Sequence, residues 1–301
     1  MQLDLFEDNR PGILLNIANE FILARDLDQA VSVYDQLLAD YPDGRHVAAL
    51  RSLVDEWRGI LSGINASACD PAKLQAIWQR LEAISHPALR TTVPRILIDA
   101  LRAMPHPEGI YMPPRFHLGH ILLETGQFAA AAECFGAALS TKGIPRGKFL
   151  AWRGDALTLA KDHGAALKSY LAAFLDDPLT VEMSSVRNRT INALHVSMSF
   201  AAADEIAEDE EPAWLPVWGW LQGVFTLPLY PDPSEQSRGV ADFELLIEEE
   251  SCCVPRIWFD MLTHAERQRV VHRDGKELAA IRRLMKRANG FMFGCYLEKI
   301  G

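Results

Sequence analysis

Residues 27–42 read LDQAVSVYDQLLADYP, and residues 163–178 read HGAALKSYLAAFLDDP. Ala30, Tyr34, Leu37 and Pro42 in the first stand at the same spacing as Ala166, Tyr170, Ala173 and Pro178 in the second. Residues 128–143, FAAAAECFGAALSTKG, repeat the pattern with Ala131, Phe135 and Ala138, and Gly143 stands where the proline would be. Offsets of four and three place such residues on one face of a helix. Small residues on that face let a neighbouring helix approach closely, and the aromatic fills the remaining space. A proline or glycine at the end stops the helix. The pattern predicts closely packed helices recurring along the chain, and with them a surface for interaction more than a centre for chemistry.

Each of these helices has a partner in front of it. The first unit runs from Pro11 to Gly44, with Leu14, Ile17, Ala18 and Phe21 on one face and Pro42 and Gly44 at its end. Its turn, Arg25-Asp26-Leu27-Asp28, supplies carboxylates able to cap the second helix. The unit from Gly147 to Thr180 follows the same plan with Leu150, Gly154 and Leu157, and Ala160-Lys161-Asp162 aligns with Ala24-Arg25-Asp26. The middle unit begins near Met112 and carries Leu118, Gly119 and Leu122 before the turn Thr125-Gly126-Gln127. Ala18, Gly119 and Gly154 occupy equivalent places.

This arrangement resembles the tetratricopeptide repeat family, a helix-turn-helix of about 34 residues with a small residue and leucine in its first helix and Ala, an aromatic, Ala and Pro in its second. Leu14 stands where the family has tryptophan, Arg153 where it has an apolar residue, and the middle unit lacks the final proline. The resemblance implies an all-α superhelix of helix-turn-helix units, a solenoid whose concave face takes a peptide or helix from another protein. The expected organisation is a tail at 1–10, helical repeats at 11–180 with clear units near 11–44, 112–145 and 147–180, and a C-terminal helical block at 181–301 acting as cap or small domain. Between the first two units the composition predicts helices over Arg45–Leu61, Pro71–Ser85 and Pro94–Met104, too few for two clean pairs. Beyond Thr180 it predicts helices over Val181–Phe200, Pro255–Val271 and Lys276–Ile300, an acidic run at Asp204–Glu211 and a loop at Pro231–Ser234.

Bulk composition narrows the function classes. The chain has 301 residues, 49% of them apolar, with a formal charge of −10. That charge argues against binding nucleic acid directly through bulk attraction. Five scattered cysteines without a CxxC suggest neither a disulfide framework nor a zinc site, which fits a reducing, cytoplasmic setting. The N-terminus, MQLDLFEDNR, is acidic and has no long apolar core, so a secretory signal is not expected. Ala213–Tyr230 is free of charge and holds Trp214, Trp218 and Trp220, but Pro216, Gly219, Gln222, Gly223 and Pro228 favour a buried helix and turn over a membrane span.

Several residue groups are candidates for binding. By the resemblance, the first helices of the units line the groove, and Asn19, His120, Glu124, Asp155 and Thr158 are its polar positions. Asn19 matches an asparagine with which some family members grip a C-terminal carboxylate, although Leu15 stands where the companion lysine would be. Gln2, Leu3, Asp4, Leu5 and Phe6 resemble the pentapeptide by which bacterial replication and repair proteins dock on the DNA polymerase sliding clamp, an extended peptide that seats leucines and a phenylalanine in an apolar groove. The same residues also suit a hydrophobic plug on the first unit. His117, His120 and Glu124 have helical spacing compatible with a metal, against a reading as ordinary histidines. Arg282, Arg283, Lys286 and Arg287, followed by Phe291, Phe293 and Tyr296, form a basic stripe that suits an acidic partner or a solvated face turned toward Asp204–Glu211. Cys252-Cys253 reads as a small apolar pair. No phosphate loop, nucleophile elbow or His-Glu-x-x-His occurs, and His272-Arg273-Asp274 lacks the asparagine of a kinase loop. The sequence therefore predicts a non-catalytic binding protein without cofactor or metal. A pocket near the three tryptophans is the place where an enzyme reading would have to be sought.

Overall fold

A computed structural model describes residues 9–64, 70–229, 238–248, 254–272 and 275–301. Among them the chain is almost wholly helical, and consecutive helices pack on one another as the repeat pattern requires. Residues up to Cys134 and residues from Phe135 onward form two compact units.

In the first unit, α1 (Arg10–Leu23) and α2 (Leu27–Asp40) make a helical hairpin, and α3 (Arg45–Ser62) packs on α2. The turn between α1 and α2 follows from sequence. Arg25 is left-handed at φ 68°, the Asp26 N–H bonds back to Phe21 O, and the Asp26 carboxylate accepts from Gln29 N at 3.0 Å. Next comes α4 (Pro71–Glu82), opened by Asp70 accepting from Ala72 N, and then α5 (Pro87–Arg102), which packs on α4 and also on α1. The helix expected at Pro94–Met104 thus starts seven residues earlier than expected. Pro94 sits inside it and removes one backbone bond, but Leu89, Val93, Leu97 and Leu101 bury one face of α5 and hold it helical. The Thr92 hydroxyl donates to Ile22 O at 2.9 Å, seating α5 against α1.

The middle repeat departs from expectation at its start. Near Met112, where the unit is expected to begin, strands β1 (Tyr111–Met112) and β2 (Phe116–His117) pair antiparallel, with Tyr111 opposite His117. Pro113 and Pro114 lack the N–H groups a helix would need there. The first helix of this repeat, α6 (Leu118–Glu124), is correspondingly short. After Gly126 at φ 78°, α7 (Phe128–Ala138) begins, and the Cys134 thiol lies against the Gly119 backbone.

In the second unit, α8 (Arg146–Leu159) and α9 (His163–Asp176) form the third hairpin. Lys161 is left-handed at φ 65°, the Asp162 N–H reaches Leu157 O, and the Asp162 carboxylate caps Ala165 N, so this turn reproduces the one at Arg25. Two short 3₁₀ turns lead to α10 (Arg189–Ala201), capped by Asn188, so the helix expected from Val181 begins later. The three tryptophans of the charge-free segment lie on α11 (Glu211–Leu221), which packs against α9, α10 and α13 (Val254–Arg267) and is therefore buried on nearly every side. Among the described residues, no helix is long and apolar enough to cross a membrane. The last segment after α12 (Val240–Glu248) and α13 is divided: α14 (Gly275–Ala288) and α15 (Gly290–Ile300) meet at Asn289, whose side chain accepts from Met292 N and starts a new helix.

The pattern residues are where the sequence puts them. Ala30, Ala131 and Ala166 are fully buried, as are Phe135 and Tyr170, and Tyr34 is 1% exposed. Burying an aromatic of this size contributes about 1.5–3 kcal/mol. Gly154 explains why the equivalent positions must be small: a Cβ there would lie 2.8 Å from the Tyr170 ring. Gly164, by contrast, has nothing within 4 Å. Gly154→Ala should lower stability by about 1–3 kcal/mol through overpacking, whereas Gly164→Ala should be neutral or stabilise by up to about 1 kcal/mol. Urea unfolding of both variants checks the pair.

Candidate functional site

The five groove candidates separate into open and interior positions. His120 and Glu124 line a cleft of about 540 Å³ in the first unit. Its walls are Trp78, Leu81 and Glu82 of α4, Arg90, Thr91, Pro94 and Arg95 of α5, and the end of α6, with Arg115 from the turn between the strands. His120 is 7% exposed and forms part of the floor, while Glu124 stands at the rim. Arg90 and Arg95 are exposed and, among the described residues, take part in no ion pair. Glu82 is likewise without a cation. The cleft thus offers free guanidinium groups, a half-buried indole and a buried imidazole.

Asn19 lines a different cleft of about 500 Å³ in the same unit. There Leu15, Leu50 and Leu53 provide apolar surface, and Asn16, Asn19, His46 and Ser85 provide polar groups. His86 closes one side: 5% exposed, it lies 3.5 Å through Nε2 from the Tyr34 hydroxyl, and burial lowers its pKa.

Asp155 is buried and Thr158 half-buried, and both are hydrogen-bonded to neighbouring chain. The Tyr170 hydroxyl donates to Asp155 Oδ1 at 2.5 Å, and the Arg187 N–H donates to the same oxygen at 2.6 Å. Thr158 donates to Gly154 O at 2.8 Å and accepts from Asn188 Nδ2 at 2.9 Å. At the start of α8, Lys148 pairs with Glu182 and its N–H donates to the Thr180 hydroxyl. The chain from Thr180 to Asn188 therefore runs across α8 and covers the face that the repeat pattern leaves for a partner. Burial and the Asp155 carboxylate push the Tyr170 pKa upward, so its hydroxyl stays protonated and keeps donating.

His117 and His120 do not act as a pair. His117 is fully buried, accepts from Gly119 N through Nδ1 at 3.0 Å, and donates through Nε2 to Glu108 O at 2.8 Å. It is the N-cap of α6, with both ring nitrogens committed to backbone groups. Among the described residues, no group of His, Cys, Asp and Glu is placed to hold a metal ion.

The basic stripe is divided as well. Arg282 stacks over the Tyr296 ring at 5.5 Å and reaches its hydroxyl, which donates to the buried Glu266 at 3.0 Å. Arg283, Lys286 and Arg287 are exposed, and among the described residues no ion pair joins them to Asp204–Glu211. Gln2–Phe6, Pro231–Ser234, Cys252-Cys253 and Arg273-Asp274 lie outside the described residues. Spacing along the chain could not have revealed Arg90, Arg95 and Arg115 as neighbours of His120, because a two-residue-strand hairpin and three helices bring them together.

Comparison with known proteins agrees with the repeat geometry. The tetratricopeptide repeat family model matches residues 116–178, the span from β2 through α9. No curated protein and no solved structure matches the chain.

The cap at His117 makes stability pH-dependent. Burial lowers its pKa to about 4, against about 6.5 when unfolded. The unfolded chain therefore binds more protons between these values, and the cap's contribution is full above about pH 6.5 and is lost as pH falls toward 4. Urea unfolding should show a loss of about 2 kcal/mol from pH 7 to pH 5. In His117→Asn that part of the pH dependence should vanish.

Proposed function

Because residues 116–178 carry tetratricopeptide repeats, we propose that this protein is a non-catalytic interaction module that binds a peptide or helix of a partner protein in the cleft between α4, α5 and α6. Repeats of this family generally mediate protein–protein interaction. The observation that carries the reading is the cleft at His120 and Glu124, with Arg90 and Arg95 uncommitted on its wall. The Asn19 cleft supplies a second set of polar positions on the same unit. Affinity would come from burying a partner side chain beside Trp78 and Leu81, and orientation from the arginines and His120. The reading as a binding protein rests on the family match and on the cleft's mixed lining.

Peptides selected by phage display against the full chain provide the test. Their affinity should fall about tenfold in an Arg90→Glu/Arg95→Glu variant, because reversing two rim charges repels what they attracted. Undiminished affinity would remove this cleft as the site.

The sequence of Gln2–Phe6 supports a second reading, docking on the DNA polymerase sliding clamp. A synthetic peptide of residues 1–10 should bind purified bacterial clamp, and Leu5→Ala/Phe6→Ala should abolish binding; equal binding by the altered peptide rejects it.

A further inference from the structure

A larger cleft, of about 980 Å³, lies in the second unit and uses none of the residues considered for the first-unit site. Its floor is apolar. Phe174 and Leu175 end α9, Trp214 comes from α11, and Val254 and Pro255 open α13. At its edge Leu179 is 75% exposed, in the turn that follows Pro178. Water gives such a side chain nothing to pack against, and an apolar group laid across the floor would cover it.

The rim is acidic, and three of its carboxylates are unpaired. Glu205, Asp209 and Glu210 are exposed and, among the described residues, form no ion pair. Arg238 and Arg256 share the single carboxylate of Asp260, at 2.9 and 3.3 Å, so only one of their two charges is offset, and Arg256 also donates to Leu175 O. Asp176 is held by Arg146 at 2.6 Å. Three unpaired carboxylates outweigh the one guanidinium charge that Asp260 leaves over, so a net negative charge borders the apolar floor and attracts a cation.

We propose that this cleft docks a lysine- or arginine-bearing segment of a partner protein. The segment would set an aliphatic side chain against Leu179 and Trp214 and its cations opposite Glu205, Asp209 and Glu210. Charge selects the occupant: an acidic or neutral segment leaves the three carboxylates unanswered, and a purely polar basic one leaves Leu179 and the floor exposed. The proposal stands apart from the first-unit site, which presents free arginines.

The probe is a short fluorescently labelled peptide of alternating leucine and lysine, titrated into the full chain and followed by anisotropy. Saturable binding is expected, weakened about tenfold by Glu205→Lys/Asp209→Lys/Glu210→Lys and by Leu179→Asp. All four residues are exposed, so the variants should retain the helical signal, and Leu179→Ser provides a milder version of the same loss. Glu20→Lys/Asp43→Lys, at exposed acidic positions of the first unit, should leave binding unchanged. The proposal is overturned if no saturable binding occurs, if Leu179→Asp and Leu179→Ser bind as well as the parent, or if the Glu20/Asp43 reversal weakens binding equally, since bulk charge would then explain it. Sedimentation of the chain alone should show a monomer. A dimer dissolved by Arg283→Glu/Arg287→Glu would assign the cleft to a second copy and overturn the partner assignment.

Discussion

Gly154 has no side chain, and the Tyr170 ring stands where its Cβ would project. That contact sets how closely α8 and α9 approach, and much of the second unit is built on the resulting hairpin. With the helices this close, the Tyr170 hydroxyl reaches across to Asp155, and the Ser169 hydroxyl reaches Leu150 O at 2.8 Å. The far side of α9 can then receive α11, whose Trp214 meets Trp258 of α13 with ring centroids 6.2 Å apart. A larger residue at 154 would push the hairpin open and unsettle each of these contacts in turn, because a close-packed interior transmits strain.

The Asp155–Tyr170 bond also decides where a partner can bind. A carboxylate buried to 3% exposure must have its lone pairs filled. Tyr170 fills one, and the Arg187 N–H another, which draws the chain from Thr180 to Asn188 back across α8. The face of α8 that a repeat of this type would present is thereby occupied by the chain itself. In the first unit, His120 and Glu124 line a cleft. Helix α5 packs on α1, α4 and α6, and its Arg90 and Arg95 form one wall of that cleft.

The parts of this structure that were legible in the sequence are the local ones. Asp26 and Asp162 announced their caps because capping needs a short acceptor just ahead of the first turn, and Ala30, Tyr34, Ala166 and Tyr170 announced their burial through spacing alone. The Arg25 and Lys161 turns were visible only as an alignment; that both are left-handed, like Gly126, is a property of backbone closure that non-glycine residues conceal. Boundaries failed where one residue's competing preference won: Asn289 caps a new helix in what reads as continuous helical sequence, and Pro113-Pro114 lies between a pair of strands where the middle unit is expected to begin. Among the candidate residues, His120 and Glu124 were singled out by their place in a repeat, and both line the first-unit cleft. Arg90, Arg95 and the carboxylates of Glu205, Asp209 and Glu210 were not singled out for their clefts, because a cleft joins residues by tertiary packing that no linear period encodes.

Charge gives the two units different chemical characters. The overall −10 suggests a uniformly acidic surface, but net charge is a sum and recognition is local. What a cleft attracts depends on which of its charges remain after internal pairing. Asp260 offsets one of the two charges of Arg238 and Arg256 in the second-unit cleft, and the three unpaired carboxylates of Glu205, Asp209 and Glu210 outweigh the other. Arg90 and Arg95 have no such partner in the first. The pairing pattern, set by helix packing, therefore determines the sign each cleft presents, and a partner matched to one would be repelled or left unsatisfied at the other.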